Sequence, residues 1–358
     1  MMIPETMSGV QLIGHGGLDM LIWNEAIPTP RPGPGKVLVR VLAAGVNNTD
    51  LNTRIGWYSR EISSGTAEGR PSGEIIAGGW SGQLSFPLIQ GGDLCGKVVA
   101  MGDGVTGFNP GARVTCPTNQ PNPTREEPAR TLASGSEYDG AFAQYCVVPA
   151  DQLYDVSAAP LSDVEIAAIP CAHGTAFNLL CRARAGPGDR VLVTGASGGV
   201  GLAVVEMAKL KGAHVTAISG ADKHDAVRAA GADRVLQRGE TPAARQFTVA
   251  IDVVGGPNWG RVIEALEPGG RYAVAGAIAG PLVQADLRTL YLHDLTLYGC
   301  TYTPREVFAD LIARVNAGEI RPLISRTYPL SDIRLAQADF ATKRYPGKLV
   351  LIPPSEAD

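Results

Sequence analysis

The stretch from Val191 to Gly201 restricts the fold of this 358-residue chain more than any other feature. An apolar strand ends there in a glycine-rich turn, and the helical sequence Leu-Ala-Val-Val-Glu-Met-Ala follows at 202–208. Glycine lets the backbone approach phosphate groups closely, and the free N–H groups at a helix N-terminus hold their negative charge. The pattern therefore predicts a dinucleotide site that contains Ser197, Gly198, Gly199, Val200 and Gly201.

The context of the turn supports this interpretation. A second apolar run at 212–218 completes a strand-helix-strand unit of the expected length. The first glycine of the usual G-x-G-x-x-G pattern is Ala196 here, so a purely structural glycine turn in an α/β domain is the alternative.

The chain divides into two parts with different patterns. Short apolar runs and turn signals fill residues 1–150, which is typical of a partly closed β-barrel. After residue 160 strands alternate with helices, and this alternation predicts a parallel sheet covered by helices on both faces. The polar segment 117–140 is expected to be a long surface insertion, and the Ser/Gly-rich segment 59–82 is expected to be a loop.

Composition excludes several classes of partner. The net charge is only −4 and no block of basic residues occurs, so nucleic acid is not expected. No apolar run approaches the roughly 20 residues that cross a bilayer, and no secretory signal is visible at the N-terminus. We therefore expect a cytoplasmic protein that acts on a small-molecule substrate and does not bind a membrane. The six cysteines form no C-x-x-C pair and are expected to be reduced thiols.

Several motifs, taken in order, resemble the medium-chain dehydrogenase/reductase superfamily, in particular its zinc-independent branch of quinone oxidoreductases and enoyl reductases. The resemblance covers nearly the whole chain, and its motifs are Asn47-Asn48-Thr49-Asp50 with Arg54, Gly56 and Tyr58, Gly96 to Gly102, Gly111 to Val114, Gly140 to Tyr145, Thr175-Ala176, the glycine turn, Gly231-Ala232-Asp233 and Gly347 to Leu351. It implies an α/β protein with a GroES-like barrel domain at 1–171 and 301–358 and a Rossmann domain, a doubly wound parallel sheet, at 172–300.

The resemblance also bears on a catalytic metal. The Cys, His and Cys zinc ligands of the related alcohol dehydrogenases match Asn47, Gly92 and Cys171 here, and only the last of these binds zinc well. No zinc is therefore expected. A rearranged metal site that draws on Asp50, Asp93, Cys95 or Cys171 is the alternative, and His173 beside Cys171 is either a further candidate or a packed core histidine.

By the same resemblance, Tyr58 is expected to donate a hydrogen bond or proton to the substrate, or else to be an aromatic wall of the site. Asn47 is expected to bind ribose or substrate, Thr49 to take part in a proton relay, and Asp50 to be structural. Residues expected to contact the cofactor are Thr175 at the nicotinamide, Val254 and Gly255 at the riboses, Gly276 and Ala277 at the carboxamide, and Lys348 at the pyrophosphate.

The end of the second Rossmann strand indicates which cofactor is used. NAD enzymes place an acidic residue there for the ribose hydroxyls, whereas this chain has Ser219 and, four residues later, Lys223. A serine and a lysine suit the 2′-phosphate of NADPH, although Asp222 keeps NADH as the alternative.

These observations predict an NADPH-dependent, zinc-independent reductase of quinones or α,β-unsaturated carbonyls. The alternatives are an alcohol or aldehyde dehydrogenase with an altered metal site and a non-catalytic NADPH-binding protein. Segment 290–300 resembles the edge strand through which relatives dimerise, so a homodimer or higher homo-oligomer is expected.

Overall fold

The computed structural model describes residues 3–59, 61–66, 78–79 and 82–355, and these fall into two compact units. The first unit holds the described residues of 1–62, 70–171 and 304–358, and the second holds those of 63–69 and 172–303. The sequence predicts divisions at 171/172 and 300/301, whereas the units divide at 171/172 and 303/304, and it assigns the short piece at 63–69 to the first domain.

The first unit is built around a mostly antiparallel main sheet, and two pairs of strands, β1 with β2 and β6 with β7, form separate small sheets. The strands of the unit are β1 (Thr6–Leu12), β2 (Leu21–Pro28), β3 (Lys36–Gly45), β4 (Cys95–Met101), β5 (Arg113–Thr115), β6 (Asn119–Pro121), β7 (Thr131–Ala133), β8 (Tyr145–Pro149), β9 (Tyr154–Asp155), β16 (Ile324–Pro329) and β17 (Lys348–Ile352). The main sheet has the order β16-β17-β3-β4-β5-β9, and β8 pairs with β3. Apolar residues of β3, including the consecutive Val37, Leu38 and Val39, form the buried core of this unit together with residues of the neighbouring strands. The C-terminal strand β17 pairs with β3, which places it in the first unit.

Helices of the first unit surround this sheet. They are α1 (Asn48–Ile55), α2 (Asp163–Ile166), α8 (Arg305–Asn316) and α9 (Ile333–Ala341). Ser162 and Glu165 form a reciprocal capping box at the start of α2.

The second unit is a six-stranded parallel sheet with helices between its strands. The strands are β10 (Arg190–Val193), β11 (His214–Ser219), β12 (Arg234–Gln237), β13 (Phe247–Asp252), β14 (Leu266–Val274) and β15 (Thr296–Gly299). Their order is β12-β11-β10-β13-β14-β15, which is the order of a dinucleotide-binding Rossmann sheet. The helices are α3 (Pro170–Arg182), whose first two residues belong to the first unit, α4 (Gly199–Leu210), α5 (His224–Ala229), α6 (Trp259–Glu264) and α7 (Leu287–Leu292).

The structure departs from the expectations at two places. The strand β12, four residues at the edge of the sheet, was not expected. The segment 117–140 lies at the surface only in its middle, because residues 122–130 are exposed or half-buried whereas Thr118, Gln120 and Ser134 are buried and β6 pairs with β7. The buried hydroxyl of Thr118 donates a hydrogen bond to Asp93. Most of the predicted loop at 59–82 lies outside the described residues.

Across the described residues, no helix is long and apolar enough to span a bilayer. All six cysteines are free thiols, and four of them are buried.

Candidate active site

The first site residues lie where β3 ends and α1 begins. Asn47 caps α1, and its backbone N–H donates to Oδ2 of Asp50 at 2.7 Å in a capping-box arrangement. Both side chains are buried. Thr49 lies half-buried in the first turn of the same helix. The sequence motif therefore brings an amide, a hydroxyl and a carboxyl group together at one helix N-terminus.

A buried ion pair lies beside this helix end. Nζ of Lys348 on β17 donates to Oδ2 of Asp93 at 2.9 Å, to the carbonyl oxygen of Val46 at 3.1 Å and to Oδ1 of Asn47. Asn47 in turn donates from Nδ2 to Oδ2 of Asp93 at 2.8 Å. Lys348 is 3% exposed and Asp93 is fully buried, so each charge depends on the other for its stability.

This pairing bears on two predicted roles. The three acceptors use all three N–H donors of Lys348, so a contact with pyrophosphate would require its ammonium group to leave them. Both polar atoms of the Asn47 amide are also engaged. The predicted contacts of these two residues with cofactor or substrate stay predictions.

Asp50 is the carboxyl group of this cluster with the most perturbed pKa. Burial raises the pKa of Asp50 from 3.8 to about 7, and the charge of Asp93 acts in the same direction. The Asn47 N–H group and the Lys348 ammonium oppose this rise without cancelling it. Near neutral pH the cluster therefore holds one fixed ion pair and one carboxyl group that is close to half-protonated.

Asn47, Gly92 and Cys171, which match the zinc ligands of the related alcohol dehydrogenases, do not fit zinc. A Cβ on Gly92 would lie 2.4 Å from Cγ2 of Thr118, which leaves no room for an imidazole. Burial and the Asp93 charge raise the pKa of the Cys171 thiol to about 12, whereas zinc binds the thiolate. Among the residues that the structure describes, no three His, Cys, Asp or Glu side chains are grouped as a metal requires.

The alternative metal site, which would draw on Asp50, Asp93, Cys95 or Cys171, is also not formed among the described residues. Asp93 is paired with Lys348, and its other oxygen accepts from Thr118 and from the Cys171 backbone N–H. The Cys95 thiol instead contacts Asp163, 3.6 Å away.

Tyr58 follows the left-handed Gly56 that ends α1. Its ring packs edge-on against Trp57 at 5.7 Å, and its hydroxyl makes a hydrogen bond with the Asn52 side chain. Burial holds the pKa of Tyr58 above its ordinary value of 10, and the charges of Cys171 and Asp50 act in the same direction. The phenol therefore stays protonated at neutral pH, as a hydrogen-bond donor must.

A cavity of about 440 Å³ lies in the same unit. Its lining is formed by Gln83, Leu84, Ser85, Pro87, Leu88, Ser136, Glu137, Tyr138 and Asp139. None of the site residues predicted from the sequence is in this lining. Four of the lining residues belong to the segment 117–140, which the sequence predicts as a surface insertion.

In the second unit the glycine turn has the geometry of a dinucleotide site. A Cβ on Gly201 would lie only 2.2 Å from the carbonyl oxygen of Gly195, so α4 can pack on the turn only with glycine at this position. Gly195 has a φ of 58°, which also favours glycine. Gly198 caps α4, and the N–H groups of the first helical turn have no acceptor within the helix. These residues fit the pyrophosphate of a dinucleotide.

The segments predicted to contact the riboses and the carboxamide of the cofactor are joined by a hydrogen bond in this unit. The backbone N–H of Ala279 donates to the carbonyl oxygen of Val254 at 2.9 Å, and this bond connects the loop after β13, which contains Gly255, to the loop after β14, which contains Gly276. Ala277 lies in the second of these loops.

Asp252, which was not expected from the sequence, holds one of these loops in place. Its Oδ1 accepts from the backbone N–H groups of Val254 at 2.8 Å and Gly255 at 3.1 Å, and its Oδ2 accepts from Tyr272 at 2.8 Å. An aspartate at the end of an apolar strand, followed closely by two glycines, is the signal that could have identified it.

The predicted phosphate-binding residues lie at the carboxyl end of β11. Ser219 and Lys223 are both buried there, and Asp222 is exposed. Arg238, which was also not expected, follows the neighbouring strand β12, and its backbone N–H donates to the carbonyl oxygen of Ser219 at 2.7 Å. A second cationic residue is thus placed at the same strand end.

Helix α3 carries two of the residues singled out from the sequence. His173 is buried, and its Nε2 lies 3.0 Å from Oε2 of Glu206, so it is a packed, hydrogen-bonded histidine. Thr175 is half-buried about half a turn later. Its predicted contact with the nicotinamide stays a prediction.

Comparisons with known proteins agree with this architecture. The alcohol dehydrogenase GroES-like domain matches residues 33–158, and the zinc-binding dehydrogenase domain matches residues 199–317. A candidate alcohol dehydrogenase of solved structure from Sinorhizobium meliloti is 40% identical, with a TM-score of 0.89 and 98% of each chain covered.

Two relatives have names that specify a reaction. Acryloyl-coenzyme A reductase from Metallosphaera sedula is 28% identical over 91% of this chain and 94% of its own length. Quinone oxidoreductase from Rattus norvegicus is 25% identical over 97% of this chain and 98% of its own length. On these matches and on its two-unit fold, the chain belongs to the medium-chain dehydrogenase/reductase family and is an oxidoreductase of the kind that uses a nicotinamide cofactor.

Proposed function

We propose that this protein is an NADPH-dependent, zinc-independent reductase of α,β-unsaturated carbonyls or quinones. The observation that carries the proposal is the buried Lys348–Asp93 ion pair next to Gly92, the residue that matches the histidine zinc ligand of the related alcohol dehydrogenases. The names of the acryloyl-coenzyme A reductase and quinone oxidoreductase relatives support the choice of acceptor.

The chemistry of these acceptors suits a site without zinc. When a nicotinamide is bound, it supplies a hydride. Reduction of a conjugated acceptor places the developing negative charge on an oxygen atom, which a hydrogen-bond donor can stabilise without a Lewis acid. A simple aldehyde or alcohol substrate instead depends on a polarising metal in the zinc enzymes.

Tyr58 is the donor that we assign to this oxygen. Burial raises the pKa of this phenol, so it keeps the proton that a hydrogen-bond donor needs. We expect Tyr58→Phe to lower kcat for enone reduction by about 100-fold, the scale of a general acid contribution. Tyr345→Phe, at a tyrosine of the first unit whose hydroxyl accepts from Arg326 at 3.2 Å, is the matched control and should leave kcat unchanged.

The acceptor panel decides between the proposal and its alternative. Chelator-treated protein is tested with quinones, enones, enoyl thioesters and simple aldehydes, and the loss of NADPH absorbance is followed. Turnover of conjugated acceptors supports the proposal. Turnover of aldehydes alone, restored by added zinc, would instead indicate an alcohol or aldehyde dehydrogenase with an altered metal site.

The preference for NADPH rests on the carboxyl ends of β11 and β12. Ser219, Lys223 and Arg238 provide one hydroxyl and two cations there, and an arginine near this strand end suits a 2′-phosphate. We expect Arg238→Ala to raise the KM for NADPH about tenfold and to leave the KM for NADH unchanged. Arg234→Ala, at an exposed arginine on β12, is the control. An equal effect on both cofactors would refute this assignment.

We also propose a homodimer that forms through the β15 edge. β15 is the last strand of its sheet, and apolar side chains are exposed around it, including Leu287 at 67%, Leu292 at 66% and Leu297 at 41%. An exposed strand edge with an apolar surface is a template for pairing with a second copy. Light scattering of the wild type and of Leu297→Lys tests this, and a wild-type monomer would contradict it. The expected cytoplasmic location stays a prediction.

A further inference from the structure

A line of hydrogen-bonded side chains leads from the C-terminal segment to Tyr58. Nζ of Lys343 donates to Oδ1 of Asn48 at 3.0 Å, and Nδ2 of Asn48 donates to Oδ1 of Asn52 at 3.4 Å. The Asn52 side chain makes the hydrogen bond with the Tyr58 hydroxyl. All four residues belong to the first unit, although Lys343 is 295 positions from Asn48 in sequence.

Lys343 is held in place by more than this one bond. Its ammonium lies 4.1 Å from the centre of the Phe340 ring, in a cation–π contact. Its backbone has a φ of 53° just after the end of α9, in the left-handed region where glycine is usual.

Lys343, the first residue in this line, determines the direction of each hydrogen bond that follows. An ammonium group can only donate, so the Asn48 amide must turn its oxygen toward Lys343 and its NH₂ toward Asn52. Asn52 then uses its oxygen for Asn48 and presents its NH₂ to Tyr58.

We propose that Lys343 is a positioning residue that orients the Asn48 and Asn52 amides so that Asn52 donates to the Tyr58 hydroxyl oxygen. Tyr58 then accepts with its oxygen and keeps its own O–H hydrogen for donation. In the reverse orientation the Asn52 oxygen would accept that hydrogen. The inference rests on the proposed function only in the last step, where the Tyr58 hydrogen is directed to a substrate oxygen.

The test uses the full-length protein and two independent readouts. The variants are Lys343→Met, which removes the donor, and Lys343→Arg, which keeps it. Lys97→Met, at an exposed lysine of β4, is the matched control. If Lys343→Met unfolds, Lys343→Gly replaces it, because glycine suits the left-handed backbone and also removes the donor.

The first readout does not depend on activity. In an isotope-labelled sample, a nuclear Overhauser effect between the Asn52 side-chain NH₂ and the Tyr58 ring reports the amide orientation. We expect this signal in the wild type, in Lys343→Arg and in Lys97→Met, and we expect its loss in Lys343→Met. Its persistence in Lys343→Met would overturn the proposal, whatever the enzyme reduces.

The second readout is enone reduction in single and double variants. We expect Lys343→Met to lower kcat about tenfold with little change in the KM for NADPH, and Lys343→Arg to restore it. In a Tyr58→Phe background, Lys343→Met should cause no further loss, because the two residues act through one hydroxyl group. An equal loss in both backgrounds would overturn the proposal. An absence of enone turnover in the wild type would refute the proposed function, and the amide signal would then decide the role of Lys343.

Discussion

Replacement of Asp50 by asparagine tests whether a neutral carboxyl group is built into the buried cluster. The amide introduced by Asp50→Asn would keep an oxygen that accepts from the Asn47 backbone N–H and would remove the ability to ionise, and any cost of its NH₂ group is independent of pH. Asp50 is 4% exposed, so solvent screens its charge poorly. The variant therefore isolates the free energy of ionising a buried carboxyl group, to which burial contributes most and the charge of Asp93 contributes less.

The magnitude follows from the raised pKa. The pKa of Asp50 is about 7 in the folded protein and 3.8 ordinarily, so the folded state binds the proton more tightly. The stability that this proton contributes is complete below pH 3.8 and is lost as the pH rises through 7. The whole difference corresponds to about 4 kcal/mol, of which about 2–3 kcal/mol falls between pH 5 and pH 8.

The assay is equilibrium urea denaturation of the wild type and Asp50→Asn at pH 5 and pH 8. We expect the free energy of unfolding of the variant to rise relative to the wild type by about 2–3 kcal/mol between these two values. Asp103→Asn, at an exposed aspartate of the same unit, is the matched control and should show no such change. If Asp50→Asn and Asp103→Asn have the same pH dependence, the reasoning about the buried carboxyl group is refuted.

Two further glycine substitutions test the shape of the sites. Gly201→Ala would place a Cβ 2.2 Å from the Gly195 carbonyl oxygen, so we expect NADPH binding, measured by calorimetry, to weaken at least about tenfold. Gly260→Ala, at a helical glycine with no atom within 4 Å of the added Cβ, is the control and should bind normally. Gly92→His introduces an imidazole at the position of a zinc ligand in the related alcohol dehydrogenases. Its Cβ would lie 2.4 Å from Cγ2 of Thr118, and the neighbouring Asp93 is already paired with the Lys348 ammonium, so we expect no zinc to be retained after dialysis. One zinc ion per chain by elemental analysis would contradict this.

The sequence predicts well those features whose interacting residues are close together in the chain. The unit of β10, α4 and β11 is encoded within about 30 consecutive residues, where strand, glycines and helix follow one another. The N-terminus of α2 is likewise encoded by Ser162 and Glu165, three positions apart. In such cases the interacting groups are close in sequence, and their spacing is itself the signal.

The polar clusters could not be predicted in this way, because their members are distant in sequence. Lys348 and Asp93 are 255 positions apart, and Lys343 and Asn48 are 295 positions apart. Only the fold shows that each lysine ends beside its partner. The glycine-lysine motif near the C-terminus points to a functional lysine, but the resemblance places Lys348 at the pyrophosphate, whereas the structure places it in a buried ion pair.

The central claim is that hydride transfer to a conjugated acceptor needs no metal in this protein. The most direct measurement supplies chelator-treated protein with NADPH deuterated at C4 and an enone, and analyses the product by mass spectrometry and NMR. We predict one deuterium at the β-carbon of a saturated ketone, at a rate that added zinc does not change. Deuterium at the carbonyl carbon of an alcohol, formed only after zinc is added, would contradict the account.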